Sequence, residues 1–273
     1  MRPRERSQYV NAMQDFPVKV GHMLLTMVDP HRGHEVAYNR WYERDHFYAG
    51  CLVGPWLFAG RRWVAPRALK ALRYPRESAL AKPDVTAGSY VAVYWIHADH
   101  FDEHREWAGQ QVRWLYQNGR GFAARTHVHT LLYDLEWTIY RDADPVPIEL
   151  ALDHGYPGMV TAAVRRAAGA PAASLDAWWH RVLPGFLAGT PVASCASWSA
   201  VPQRGAPMDI PVVEEPERLR MHLFFLDADP LRSWHGFEQL GRELATSGLG
   251  EVVFASPWLP TVVGTDAYTG ELW

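Results

Sequence analysis

Two β-α-β-β-α-β modules in tandem, packed sheet against sheet as an intramolecular α+β barrel, are the architecture that this 273-residue sequence predicts. Three observations lead to it. Strand-like and helix-like spacings alternate in that order over residues 17–141. The same order begins again over residues 158–273, with several side chains arriving in step. The clearest strand, Tyr90–His97, is apolar on both faces, as a sheet covered on both sides requires.

Taken in order, Val18–Val28 is apolar and rich in β-branched residues, a buried strand that Asp29-Pro30 is expected to end. His34–Cys51 has helical spacing, with Val36, Trp41 and Phe47 among polar residues and Gly50 near its end. Trp56–Ala65 predicts the second strand, and Pro66–Gly88, with its prolines and charges, an inserted excursion. After Tyr90–His97 comes a helix over Asp99–Asn118, then a long strand over Arg125–Tyr140. Each such set is a ferredoxin-like unit. The proline- and aspartate-rich stretch 142–157 predicts a linker between the modules.

The second set runs through Met159–Arg166, a helix over Leu175–Leu187 behind Ser174 as N-cap, Cys195–Val201, Arg220–Leu226, a helix over Trp234–Thr246, and Glu251–Phe254. Trp41-Tyr42 corresponds to Trp178-Trp179, Trp63 to Trp198, and Ala98-Asp99 to Ala228-Asp229. The four-stranded sheet of a lone module, with helices on one face, would leave its other face bare, and packing two such sheets together by fusion covers it.

Composition narrows the function. A net charge of −3 lacks the concentrated basic surface that nucleic acid requires. Two distant cysteines, Cys51 and Cys195, form no CxxC spacing and fit a reducing cytoplasm. Met1–Phe16 is charged rather than apolar and predicts no secretory signal, and no long apolar run predicts a membrane partner. Thirteen Trp and 13 His supply rings able to line a cavity for a small hydrophobic or aromatic substrate. No GxGxxG, P-loop or GxSxG run is present.

The run Tyr38-Asn39-Arg40-Trp41-Tyr42-Glu43-Arg44-Asp45-His46, followed by Gly54-Pro55 and Gly60-Arg61-Arg62-Trp63, resembles the EthD-like branch of the dimeric α+β barrel superfamily. Members carry an N-x-W-Y-x-x-x-H helix and a G-x-R-R-like strand. The second half departs from the pattern, with Leu183 where a counterpart of His46 would align. The resemblance implies the barrel fold and a small-molecule enzyme. The superfamily spans cyclases, isomerases, cofactor-free monooxygenases, decarboxylating enzymes and haem-binding branches. A fused pair implies a monomer, or a homodimer of barrels.

Tyr42 and His46, four apart on a helix, share a face, and an imidazole beside a phenol suits proton transfer next to a carbonyl. His22, mid-strand in an apolar run, must line a cavity or find a buried partner. These three are the expected catalytic residues. Arg61, Trp41, His127 and Trp95 are the expected substrate-binding residues, Arg61 through a guanidinium turned inward. His127 and His129 form an H-x-H pair on one strand face, a spacing metals use, and His100 and His104 repeat at i, i+4 in a solvated helix start. The expected chemistry is a lyase or isomerase reaction with no cofactor and no metal. Haem or metal dependence, and simple binding of a hydrophobic metabolite, are the alternatives.

Overall fold

Eight antiparallel strands close into one barrel in the computed structural model, which describes residues 18–203 and 209–273. They are β1 (Val20–Pro30), β2 (Leu57–Val64), β3 (Tyr90–His97), β4 (Arg125–Tyr140), β5 (Gly158–Arg166), β6 (Val192–Ala200), β7 (Leu219–Leu226) and β8 (Gly250–Pro260). The order around the barrel is β1-β3-β2-β8-β5-β7-β6-β4. Four main helices cover the outside: α1 (Glu35–Trp41), α2 (Phe101–Gln117), α3 (Ala172–Ala188) and α4 (Trp234–Ser247). Each half therefore orders its strands alike, β4-β1-β3-β2 in the first and β8-β5-β7-β6 in the second. Met1–Phe16 lies outside the described residues.

Alternation along the strands sends one set of side chains into the barrel and the other toward the helices. Trp63, Trp95, Trp198 and Trp258 fill the interior and are fully buried. Trp95 and Trp198, one from each half, stack with ring centroids 4.9 Å apart. Burying such rings removes large apolar area from water, at about 25 cal/mol per Å².

The two seams between the halves are unequal. β4 and β6 pair from Tyr133–Ala200 to Tyr140–Ser194. β2 and β8 pair only at Trp63–Pro260 and Val64–Leu259. Most of the β2 edge therefore has no strand beside it.

Neither connection is a surface excursion. Within 66–88, Leu69, Ala81 and Val85 pack on the barrel core. Arg73 is fully buried and donates to the carbonyls of Val85, Ala87 and Gly88 and to Ser256 Oγ. Asp29, expected to end β1 in a turn, instead accepts from Ser89 N at 2.7 Å and Gly88 N at 2.6 Å, and β1 continues to Pro30. In 142–157, Ile148, Ala151, Leu152 and Tyr156 are buried against the same core. The Ile148 carbonyl accepts from Trp95 Nε1 at 3.0 Å. Ser174 does not cap α3, which starts behind Pro171. Among the described residues no helix is long and apolar enough to cross a membrane.

Candidate functional site

The helix after β1 does not stay α-helical. α1 runs without a break into a π-helix over Tyr42–Leu52. Such i→i+5 winding is mostly confined to single turns and is frequent at functional sites. Here it brings residues five apart into register. Trp41 and His46 lie stacked, with centroids 4.5 Å apart and planes 17° from parallel. Gly50 makes room on the ring's other flank, since a Cβ there would come within 2.7 Å of His46 Cε1 and Nδ1. Trp41 is itself held by Phe122, 5.3 Å away, and by its Nε1 donating to the Arg120 carbonyl at 2.9 Å.

His46 is thus fixed in place, yet among the described residues neither ring nitrogen has a hydrogen-bond partner. Burial lowers its pKa from 6.5 to about 4, the positive charge of Arg125 and the nearby His127 adding to the effect while Asp45 opposes it. At neutral pH the ring carries no charge and offers an in-plane lone pair. Asp45 is turned to Arg120, whose Nε lies 3.2 Å away.

Beneath His46 runs the outer face of β1 and β4. From one end to the other it carries His22 paired with Asp134 at 2.6 Å, then Leu24 and Leu132, then Thr26 and Thr130 with hydroxyls 2.7 Å apart, then His127. His127 Nε2 accepts from Arg125 Nε at 3.2 Å, so the imidazole proton sits on Nδ1, 2.8 Å from Thr130 Oγ1. Burial, with Arg125, lowers the His127 pKa to about 4. Leu24, Thr130 and Leu132 remain partly exposed mid-strand, so α2 and the π-helix leave the floor half open. In the second half the matching layer is shut. Val160, Val164, Phe224 and Leu226 are fully buried beneath Trp179, Leu183 and Leu187.

The expected site residues are partly gathered and partly separated. His46, Trp41 and His127 meet at one end of this cleft. His22 stands at the other end, about 20 Å from His127 by strand rise, and lies tilted against Phe101 with ring centroids 4.6 Å apart. Tyr42 lies edge-on to His46 at 5.3 Å, but its hydroxyl pairs with Tyr94 at 2.8 Å inside the layer. Burial pushes that phenol well above its ordinary range. Trp95 faces the barrel interior, and Arg61 lies on the same side of the sheet, its guanidinium 4.9 Å over Trp63. Both are on the far side of the sheet from His46.

The H-x-H pair is divided. β4 pairs His129 with Met27 but His127 with Val28, a β-bulge that inserts Val128. His127 faces the helices, whereas His129 turns inward to Tyr133 Oη at 2.6 Å. The pair cannot share a metal ion. His104 is buried rather than solvated, its Nδ1 without a partner, and His100 stacks on Trp56 at 3.7 Å. Among the described residues no group of three or more His, Cys, Asp or Glu is placed to hold a metal ion.

Sequence reasoning did not reach Asp134, Thr26, Thr130 or Arg125. Their parts depend on the β1–β4 register, which no local signal encodes.

No family model matches the chain, and no curated protein matches it in sequence. Solved structures do match in shape. An anthrone oxidase-like protein superposes with TM-score 0.50 at 9% identity, over 92% of this chain and 98% of its own. A protein assigned as a chlorite dismutase superposes with TM-score 0.51 at 9% identity, over 93% and 100%. The likeness is one of fold: an antiparallel eight-stranded α+β barrel over nearly the whole chain. A haem-binding protein of Thermus thermophilus also aligns, with TM-score 0.46 at 9% identity, over 93% and 98%. The expectation of chemistry without a cofactor is corrected at this point, because the chain superposes over 93% of its length on a barrel assigned as a chlorite dismutase.

Proposed function

We propose that the protein is a small-molecule enzyme whose reaction centre is the first-half cleft, with His46 as its central group. One observation carries this reading: a neutral imidazole, clamped against Trp41 with both nitrogens unengaged, faces a half-open floor that mixes apolar and polar side chains.

The donor set of the cleft suits haem. His46 would be the iron ligand, and Leu24 and Leu132 would meet the flat apolar macrocycle. Bound there, haem would supply redox chemistry. The chain's own groups act alike on any occupant. His46 presents its lone pair, and Arg125 favours the uncharged form by repelling a second positive charge. Thr26 and Thr130, tied to His127, give the floor its hydroxyl donors and acceptors. At the far end the His22–Asp134 pair orients a polar tail.

The helix run ending in His46 supports placing the chain near the EthD-like branch. The strand order shared by both halves supports their origin as a duplicated module. Haemin titration of the purified protein, followed by absorbance, tests the central reading. A Soret band saturating near one equivalent, and lost or shifted in His46→Ala, is the expected result. Haemin binding identical in His46→Ala would remove His46 from its place, and no band in either protein would rule out haem in the cleft.

A further inference from the structure

The short β2–β8 seam opens a second cavity, on the other side of the π-helix from the His46 cleft. Beyond Pro260 the chain turns away, and Thr261 N and Oγ1 both donate to the Arg62 carbonyl. The β2 edge from Gly60 backward is left without a strand beside it. A space of about 250 Å³ results, walled by Phe47, Tyr48, Gly60, Arg61, Leu152 and Val263 among others. Pockets for drug-sized ligands start at about 300 Å³, so this one suits a smaller molecule.

Its charged side chains differ in what they have left to give. Arg62 is almost completely buried and committed, to Asn39 Oδ1 at 2.8 Å, Glu43 Oε1 at 3.2 Å and the faces of Tyr38, Tyr42 and Tyr90. Glu43 is answered by Arg62 and by Gly264 N at 2.8 Å. Arg61 is different. Its Nη1 donates to the carbonyls of Leu152 (3.2 Å) and His154, which fixes the guanidinium. Its Nε and Nη2 have no hydrogen-bond partner among the described residues. Asp153, exposed at the rim, is the one carboxylate here without a hydrogen-bonded partner among the described residues.

We infer that this seam cavity is a binding site for a small aromatic carboxylate. The Nε–Nη2 edge of Arg61 takes the carboxylate in a two-point contact, the geometry for which a planar guanidinium is matched. Phe47 and Tyr48 take the ring. Gly60 keeps the wall low, since a Cβ there would meet Tyr94 Cδ1 at 2.6 Å and Phe47 Cζ at 3.2 Å. The site stands apart from the proposed reaction centre, because His46 does not line it.

Benzoate titrated into the full chain, followed by chemical shifts in NMR, tests this. The expected result is saturable binding, weakened about tenfold or more in Arg61→Gln. Benzyl alcohol, of the same shape without the charge, should bind weakly and equally to both proteins. His46→Ala should leave benzoate affinity unchanged, so failure here and failure of the reaction-centre reading remain distinct. Arg61 also ties down the linker, so exposed Tyr48→Ala serves as a second variant and should weaken benzoate several-fold with an unchanged melting temperature. No saturable benzoate binding, equal affinity in Arg61→Gln, or loss of binding in His46→Ala would each overturn the assignment.

Discussion

At the scale of single residues, His46 depends on a glycine four positions later. Gly50→Ala places a methyl group within 2.7 Å of the imidazole, so either the ring leaves Trp41 or the π-helix shifts. The expected outcome is a folded protein whose His46 titrates nearer its ordinary 6.5 than about 4, read from ring shifts in NMR against pH. The buried histidines set a different test. Burial holds His129 at about 4 and His222 at about 3, below the ordinary value. The unfolded chain then binds more protons than the folded one once pH falls below about 6.5. Stability is therefore full above that pH and is lost on the way down to about 4, by about 1.4 kcal/mol per pH unit for each such group. His222 adds a cost of its own, since both its nitrogens are buried without a partner. His222→Leu should raise stability by about 1 kcal/mol at neutral pH and flatten the acid slope, measured by urea unfolding from pH 7.5 to 4.5.

At the scale of elements, the π-helix decides which side chains meet. An α-helical Tyr42–Leu52 would place residues three and four apart on one face, whereas the stack joins residues five apart. Deleting exposed Arg44 shortens the Trp41–His46 spacing to four. An α-helix puts that spacing on one face, so the expected outcome is a normal melting temperature with the Trp41–His46 contact kept in α winding, visible as a retained ring-current shift on His46. The β-bulge on β4 acts likewise, for it alone turns His127 to the cleft and leaves His129 in the barrel. The Trp41–Tyr42 and His46 spacing, the Tyr90–His97 strand and the Arg125–Tyr140 strand were all legible as pattern. The winding of the helix and the bulge were not, because each adds one residue to a turn or strand without changing the polarity pattern around it.

Across the whole molecule, the halves share one core. Trp95 stacks on Trp198, the 142–157 segment seals the interior beside Trp95, and buried Arg73 satisfies three carbonyls of the 66–88 segment. Residues 158–273 expressed alone would expose the inner faces of β5–β8, so that piece should self-associate or fail to fold, measured by size-exclusion chromatography and circular dichroism. Arg73→Ala should lower stability by at least about 1–3 kcal/mol, because buried carbonyls of Val85, Ala87 and Gly88 would be left without a donor.

By itself the sequence determined the element order, the α+β class, the apolar faces that demand a closed barrel, and the helix that carries Trp41, Tyr42 and His46. These rest on periodicity and on residue types, which are local properties. Only the tertiary structure decided that His22 pairs with Asp134 at the opposite end of the cleft from His127, that Tyr42 spends its hydroxyl on Tyr94, and that Arg61 opens to a seam instead of the cleft. Those outcomes depend on which strand lies beside which, and in what register. A register joins residues 112 apart for His22 and Asp134, and nothing near either residue in the chain records it.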